Sequence, residues 1–137
     1  MNESDLKRGS ILCCKLRIFE HTGIYVGNGM VVELHGSGVI RLVNFHQFVR
    51  QGRQIYVACH PQDGELADES TAQNAEAQIG KRWGYHLVQN NCHRFTYGCL
   101  SENFRSQVNL FWKLEEGIRQ KYQLNTAIYW RPLFKHR

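Results

Sequence analysis

Cys92 stands in the segment Gln89-Asn-Asn-Cys92-His-Arg-Phe-Thr-Tyr-Gly98, whose residue types suit a nucleophile at a helix start. Asn90 and Asn91 are favoured N-cap residues, and the apolar stripe Phe95, Cys99 and Leu100 follows them. In a first helical turn, unpaired backbone N–H groups and the helix dipole favour a thiolate. Those N–H groups would also stabilise an oxyanion on an attacked carbonyl. Free cysteine packs equally as a small core residue, so Cys92 alone does not decide the matter. A histidine far upstream, His21, supplies the missing base.

His21 opens the run His21-Thr-Gly-Ile-Tyr-Val-Gly-Asn-Gly29, and Met30-Val-Val-Glu-Leu34 follows. Asn-Gly between β-formers is a hairpin signal. With a three-residue loop Val26 pairs with Met30, His21 falls opposite His35, and Glu33 lies diagonally on the same face as His21. A two-residue loop instead puts His21 on the other face. The odd loop is the one that lets these groups work together. The competing reading makes His21 a strand start and Glu33 and His35 solvated edge residues.

The elements that must position these groups are legible in outline. Gly9-Ser10 precedes a β-like run from Ile11 to Phe19, which leads into the histidine hairpin. Val39–Val43 and Gln54–Ala58 read as strands separated by a short polar and aromatic stretch. Pro61–Gly64 is a turn, and Ser70 or Thr71 caps a helix running through Ile79 to Gly80. Trp83–Val88 reads as a strand delivering the chain to Cys92, and a helix follows to about Ser101. A third helix is predicted from Val108 to Tyr122, with Leu110, Phe111, Leu114 and Ile118 on one face; Pro132 prevents its continuation. Strands followed by helices around a cysteine helix define an α+β fold.

Composition sets the outer limits. A chain of 137 residues makes one domain with its own core. Five cysteines, two of them adjacent (Cys13, Cys14), argue against a disulfide framework and for a reducing compartment. Without a Cys-x-x-Cys pair the seven histidines do not suggest a structural zinc, and no metal or cofactor is expected. The polar N-terminus is unlike a secretory signal, and no apolar run approaches the length of a membrane span. The expectation is a soluble, cytoplasmic protein, peripheral at a membrane if it binds one. Most of the net charge of +5 belongs to residues 113–137, with six basic and two acidic side chains. Tyr122, Tyr129, Trp130 and Phe134 are interleaved with those charges, a pattern that suits an anionic membrane surface. No nucleic-acid motif accompanies it, so no nucleic-acid partner is expected.

The order of these motifs resembles the lecithin:retinol acyltransferase-like branch of the NlpC-type papain-fold enzymes, which is circularly permuted so that its histidine precedes its cysteine. Three pieces carry the resemblance: Asp5–Ser10 entering the first strand, the histidine hairpin, and Tyr85–Cys92. It spans roughly residues 5–102. It implies a permuted NlpC/papain-like fold, an antiparallel sheet packed against helices, with the nucleophilic cysteine at a helix N-terminus. Residues 1–102 would form the catalytic domain and 103–137 a helical, basic and aromatic extension. Animal members carry a histidine where Glu33 stands; His35 falls two positions later. The third catalytic residue is therefore Glu33, a natural imidazole orienter, or His35, nearer the family's residue type. After the cysteine the family's Glu-His pair is replaced by His93-Arg94. Adjacent helical residues point about 100° apart, which argues against His93 as the base.

The resemblance implies a thiol-dependent acyltransferase or acyl hydrolase, in which Cys92 attacks an acyl-lipid ester, His21 moves the proton, and Glu33 or His35 orients the imidazole. Two other classes fit the same residues: a cysteine peptidase or isopeptidase of the permuted papain-like type, and a non-enzymatic domain whose motifs are structural.

Overall fold

A computed structural model of the chain describes residues 6–15, 19–49, 54–83 and 91–134. Its sheet begins with β1 (Ile11–Lys15), β2 (Glu20–Gly27), β3 (Met30–Leu34) and β4 (Ile40–Asn44). The short helix α1 (Phe45–Val49) leads to β5 (Ile55–His60) and β6 (Gly64–Glu65). Then come α2 (Glu69–Ala77), α3 (Asn91–Ser101), α4 (Phe111–Lys121) and β7 (Tyr129–Pro132). The strands run in the order β4-β3-β2-β1-β5-β6, with β7 also paired to β5. Each of these ladders is antiparallel. The fold is thus α+β, an antiparallel sheet packed against helices, as expected.

Period-two alternation divides the core between the two faces of the sheet. Ile24, Val26, Val32 and Leu34 pack with Ala72 and Ala75 of α2, Phe95 and Cys99 of α3, and Leu114 and Ile118 of α4. Their neighbours Tyr25 and Val31 turn the other way, joining Leu12, Val43, Val57 and Phe48 of α1. Phe95 is wholly out of water. Burying a side chain of that size contributes about 1.5–3 kcal/mol to docking α3.

The β2–β3 turn departs from the expected one in a way that preserves the faces. Val26 was expected opposite Met30, but Gly27 pairs with Met30 while Tyr25 pairs with Val31, so the ladder is shifted between Tyr25 and Gly27. Asn28 and Gly29 have φ of 55° and 73°, as a tight two-residue turn with left-handed central positions requires. That turn alone would flip His21 to the wrong face. The extra residue of the bulge restores the register, and Ile24 pairs with Val32 as the longer loop predicts.

Other boundaries moved by a few residues. The N-cap of α2 is Asp68, not Ser70 or Thr71; its carboxylate accepts from both hydroxyls, at 2.5 and 2.6 Å. The α1 helix went unread. Its signal was Asn44-x-x-Gln47, which forms a reciprocal cap: the Gln47 N–H donates to Asn44 Oδ1 and the Asn44 N–H to Gln47 Oε1. Strand β7 also went unread, because only pairing with β5 makes it a strand. Beyond it Leu133 is fully buried and its N–H donates to the Ile55 carbonyl at 2.8 Å. The strand expected over Trp83–Val88 and the cap at Asn90 lie mostly or wholly outside the described residues.

Candidate active site

His21 is the second residue of β2, and Glu33 the fourth of β3. The restored register puts both on the α1 face, where the imidazole Nε2 lies 2.7 Å from Glu33 Oε1. Neither side chain reaches water: His21 is 2 % exposed and Glu33 0 %. An ionised carboxylate only accepts hydrogen bonds, so in this contact Nε2 carries a proton. The second carboxylate oxygen is held from β4, where Arg41 Nε donates to Glu33 Oε2 at 2.8 Å. Arg41 stands directly opposite Glu33 in the β3–β4 ladder. A buried carboxylate is costly unless paired, and here one oxygen meets the His21 ring nitrogen and the other accepts from the Arg41 guanidinium.

Phe48 of α1 backs the imidazole, with ring centroids 4.9 Å apart. Gly23 makes room for that ring. A Cβ there would stand 2.9 Å from both Phe48 Cε1 and the Val32 carbonyl oxygen.

Cys92 is the second residue of α3 as described, 5 % exposed. It meets β2 at the two residues that flank His21. Its Sγ donates to the Glu20 carbonyl at 3.9 Å, and the Thr22 hydroxyl reaches the Cys92 carbonyl at 3.4 Å. Thr22 points toward α3 because it alternates with His21 along the strand. Its Oγ1 also lies 3.0 Å from His93 Nδ1 and 2.9 Å from Thr96 Oγ1.

His93 differs from expectation. Its Nδ1 lies 3.8 Å from Cys92 Sγ, closer than a simple helical-wheel view suggests. Its better-placed neighbour is Thr22. Burial, reinforced by the nearby His21, pushes the His93 pKa down to about 4, so the ring is neutral at physiological pH. The edge of Phe111 from α4 closes over it, with centroids 5.6 Å apart.

His35 goes elsewhere. It lies just past β3, in the turn to β4, where its N–H donates to the Val39 carbonyl and its Nδ1 accepts from the Ser37 N–H at 3.1 Å. Of the two candidates for an imidazole orienter, Glu33 is therefore the one hydrogen-bonded to His21. Two site neighbours escaped sequence reasoning. Arg41 was the lone charge in the run Val39–Val43, and a three-residue Gly36-Ser37-Gly38 loop, with His35 opposite Val39, sets it opposite Glu33. Thr22 gave no signal beyond its place beside His21.

Three of the other four thiols are poor nucleophiles by environment. Burial raises the pKa of Cys13 and Cys99 well above the ordinary thiol value, and also raises that of Cys59. Among the described residues, no cluster of three or more His, Cys, Asp or Glu side chains could hold a metal ion. Nor is any described helix long and apolar enough to cross a membrane.

The α+β chain thus sets a buried His–Glu pair on neighbouring strands and packs a helix bearing Cys92 on the strand that carries the histidine. Residues 4–105 match the family described as Lecithin retinol acyltransferase, and the chain belongs to that family. A search of curated proteins found no match.

Proposed function

We propose that this protein is a thiol-dependent acyltransferase or acyl hydrolase working through a Cys92 acyl-enzyme, with an acyl-lipid ester as the donor. One observation carries the reading: Cys92 packs on β2 at Glu20 and Thr22, on either side of His21, whose imidazole is held by Glu33 on the α1 face, so the proposed proton transfer passes the Glu20 end of the strand. Family membership supplies the reaction class. The permuted papain-like arrangement, with the first-turn N–H groups of α3 facing the oxyanion, belongs to the same proposal.

The proposed cycle balances without a cofactor. The Cys92 proton passes to His21 Nδ1 as sulfur attacks the ester carbonyl. The C–S bond forms, the C–O bond breaks, and the imidazolium returns the proton to the leaving alkoxide. Water or another acceptor then attacks the thioester carbonyl as His21 takes its proton; the new acyl bond forms, the C–S bond breaks, and the imidazolium returns the proton to the departing Cys92 sulfur. Glu33 holds the Nε2–H tautomer and offsets the imidazolium charge.

The 3.8 Å approach of His93 to Cys92 supports a second assignment, with His93 as the proton acceptor. A pKa pushed down to about 4 makes it the weaker base near neutrality. Intact-mass measurement after exposure to a p-nitrophenyl acyl ester and to a fluorescent phosphatidylcholine tests the reading. One acyl adduct, on Cys92, is expected from both, and lost in Cys92→Ala. Peptide-ester probes labelling Cys92 in preference would favour the peptidase class, and an unlabelled Cys92 would remove the mechanism.

Docking on an anionic membrane surface is part of the proposal. Trp112 is 63 % exposed with Lys113 beside its ring, and Tyr129 is 45 % exposed beneath Arg131. Exposed aromatics next to cations suit a lipid headgroup boundary. A cytoplasmic location is proposed with it.

A further inference from the structure

Arg41 stands between Glu33 and solvent on the sheet face that carries His21. Its Nε–H donates to Glu33 Oε2 at 2.8 Å, while Glu33 Oε1 lies 2.7 Å from His21 Nε2. Glu33 is wholly buried, whereas the Arg41 side chain is 36 % exposed. We infer that Arg41 is a positioning residue for the active site, one that locks the carboxylate of Glu33 in the plane and charge state in which it orients His21. This inference rests on the proposed Cys92–His21 chemistry.

The physical need for such a residue follows from the burial of Glu33. A carboxylate out of water is driven toward its neutral form unless a cation or several donors stabilise it. A neutral carboxyl group would carry a proton of its own and would not reliably accept from Nε2–H. It would then no longer specify which imidazole nitrogen is left for Cys92. Arg41 prevents this in two ways. Its charge favours ionised Glu33, and its planar donor engages one oxygen and leaves the other for the imidazole. The position is set by strand pairing, because Glu33 and Arg41 are direct partners in the β3–β4 ladder.

A cation beside the pair also resists protonation of the His21–Glu33 unit as a whole. Other ionisable groups lie near that unit: Cys14 on β1, paired with His21 along the ladder, and His93 on α3, with Cys92 at the neighbouring Glu20 carbonyl. Among Arg41, Cys14, Cys92 and His93, only Arg41 carries a permanent positive charge. Its removal makes proton uptake by the unit easier, so the unit titrates at higher pH whichever member takes the proton.

The test compares wild type, Arg41→Gln and Arg41→Lys in the full chain, using two readouts. Imidazole NMR follows the His21 titration, and p-nitrophenyl acetate acylation of Cys92 is followed by mass as a function of pH. In Arg41→Gln the titration midpoint and the acidic limb of acylation should both rise by about one pH unit, a tenfold change in the protonation constant. In Arg41→Lys the charge remains, so the midpoint should stay near wild type. The ammonium cannot reproduce the planar contact, so acylation should slow by about 3- to 30-fold. A folded Arg41→Gln with an unmoved midpoint would overturn the inference, as would wild-type acylation in Arg41→Lys. The second outcome keeps the test decisive if Arg41→Gln does not fold. Failure of the underlying chemistry looks different, because Cys92 would then not acylate in the wild type.

Discussion

His21 and Glu33 are joined across β2 and β3 by a 2.7 Å contact with both side chains shut off from water. A hydrogen bond to a charged group in such surroundings is strong, and its loss leaves a buried polar group unpaired. Glu33→Gln keeps the shape but can offer its amide N–H as well as its oxygen to Nε2. Acylation of Cys92 should fall by about 10²- to 10⁴-fold, as for other imidazole orienters. His35→Ala should stay within a few-fold of wild type. Steady-state and single-turnover kinetics with a p-nitrophenyl ester check both, and the reverse ranking would reassign the orienting role.

His93 makes the protein sensitive to acid. Its folded-state pKa is pushed down to about 4 from an ordinary 6.5, so the unfolded chain binds its proton first. The stability associated with neutral His93 is complete above pH 6.5 and is lost as pH falls toward 4. The full loss corresponds to about 3 kcal/mol. His93→Gln should flatten this dependence. Urea midpoints for wild type and variant at pH 7.5 and 4.5 measure it, and parallel losses in the two proteins would count against the assignment.

Gly23→Ala should act on the site through packing. The new methyl would press on Phe48 and on the Val32 carbonyl. Overpacking of this kind costs about 1–3 kcal/mol. Since Phe48 backs the His21 ring, acylation should drop together with stability. Unchanged thermal melting and unchanged acylation would show that Phe48 moves aside freely.

Thiol reactivity should separate Cys92 from Cys13, Cys59 and Cys99. Burial holds Cys13 and Cys99 protonated far above neutral pH and raises Cys59 as well. Brief iodoacetamide labelling at pH 7.5, followed by peptide mapping, should modify Cys92 at least about tenfold faster than these three. Faster labelling of any of them would contradict the environments described.

Deleting residues 129–137 is not a clean test of membrane docking. The deletion would remove strand β7 from beside β5 and empty the site of the buried Leu133. Trp112→Ala and Tyr129→Ala change exposed side chains instead. Each should weaken binding to phosphatidylserine vesicles while p-nitrophenyl ester turnover is unaffected. Arg131→Gln should lower the salt sensitivity of binding, since each basic residue near the surface contributes about 1 kcal/mol. Wild-type vesicle binding by all three would place docking elsewhere.

Much of this protein is written locally. Alternating apolar runs specify β2, β3, β4 and β5, and apolar stripes at helical spacing specify α3 and α4, because each pattern buries one face only in its own geometry. The Asn28-Gly29 turn is equally local, and the choice of Cys92 and His21 as candidates rests on residue type and neighbours alone. The bulge at Val26 is different. The hairpin's short turn and the required face of His21 conflict, and only packing both faces of the sheet selects the extra residue that reconciles them. The Glu33–His21 contact follows from that register, since Glu33 lies within the ladder and His35 in the next turn. Arg41 reaches Glu33 only because β4 pairs with β3, and β7 is a strand only because β5 has an edge to offer. Pairings between distant segments are set by the summed burial of the core, which no short stretch of sequence contains.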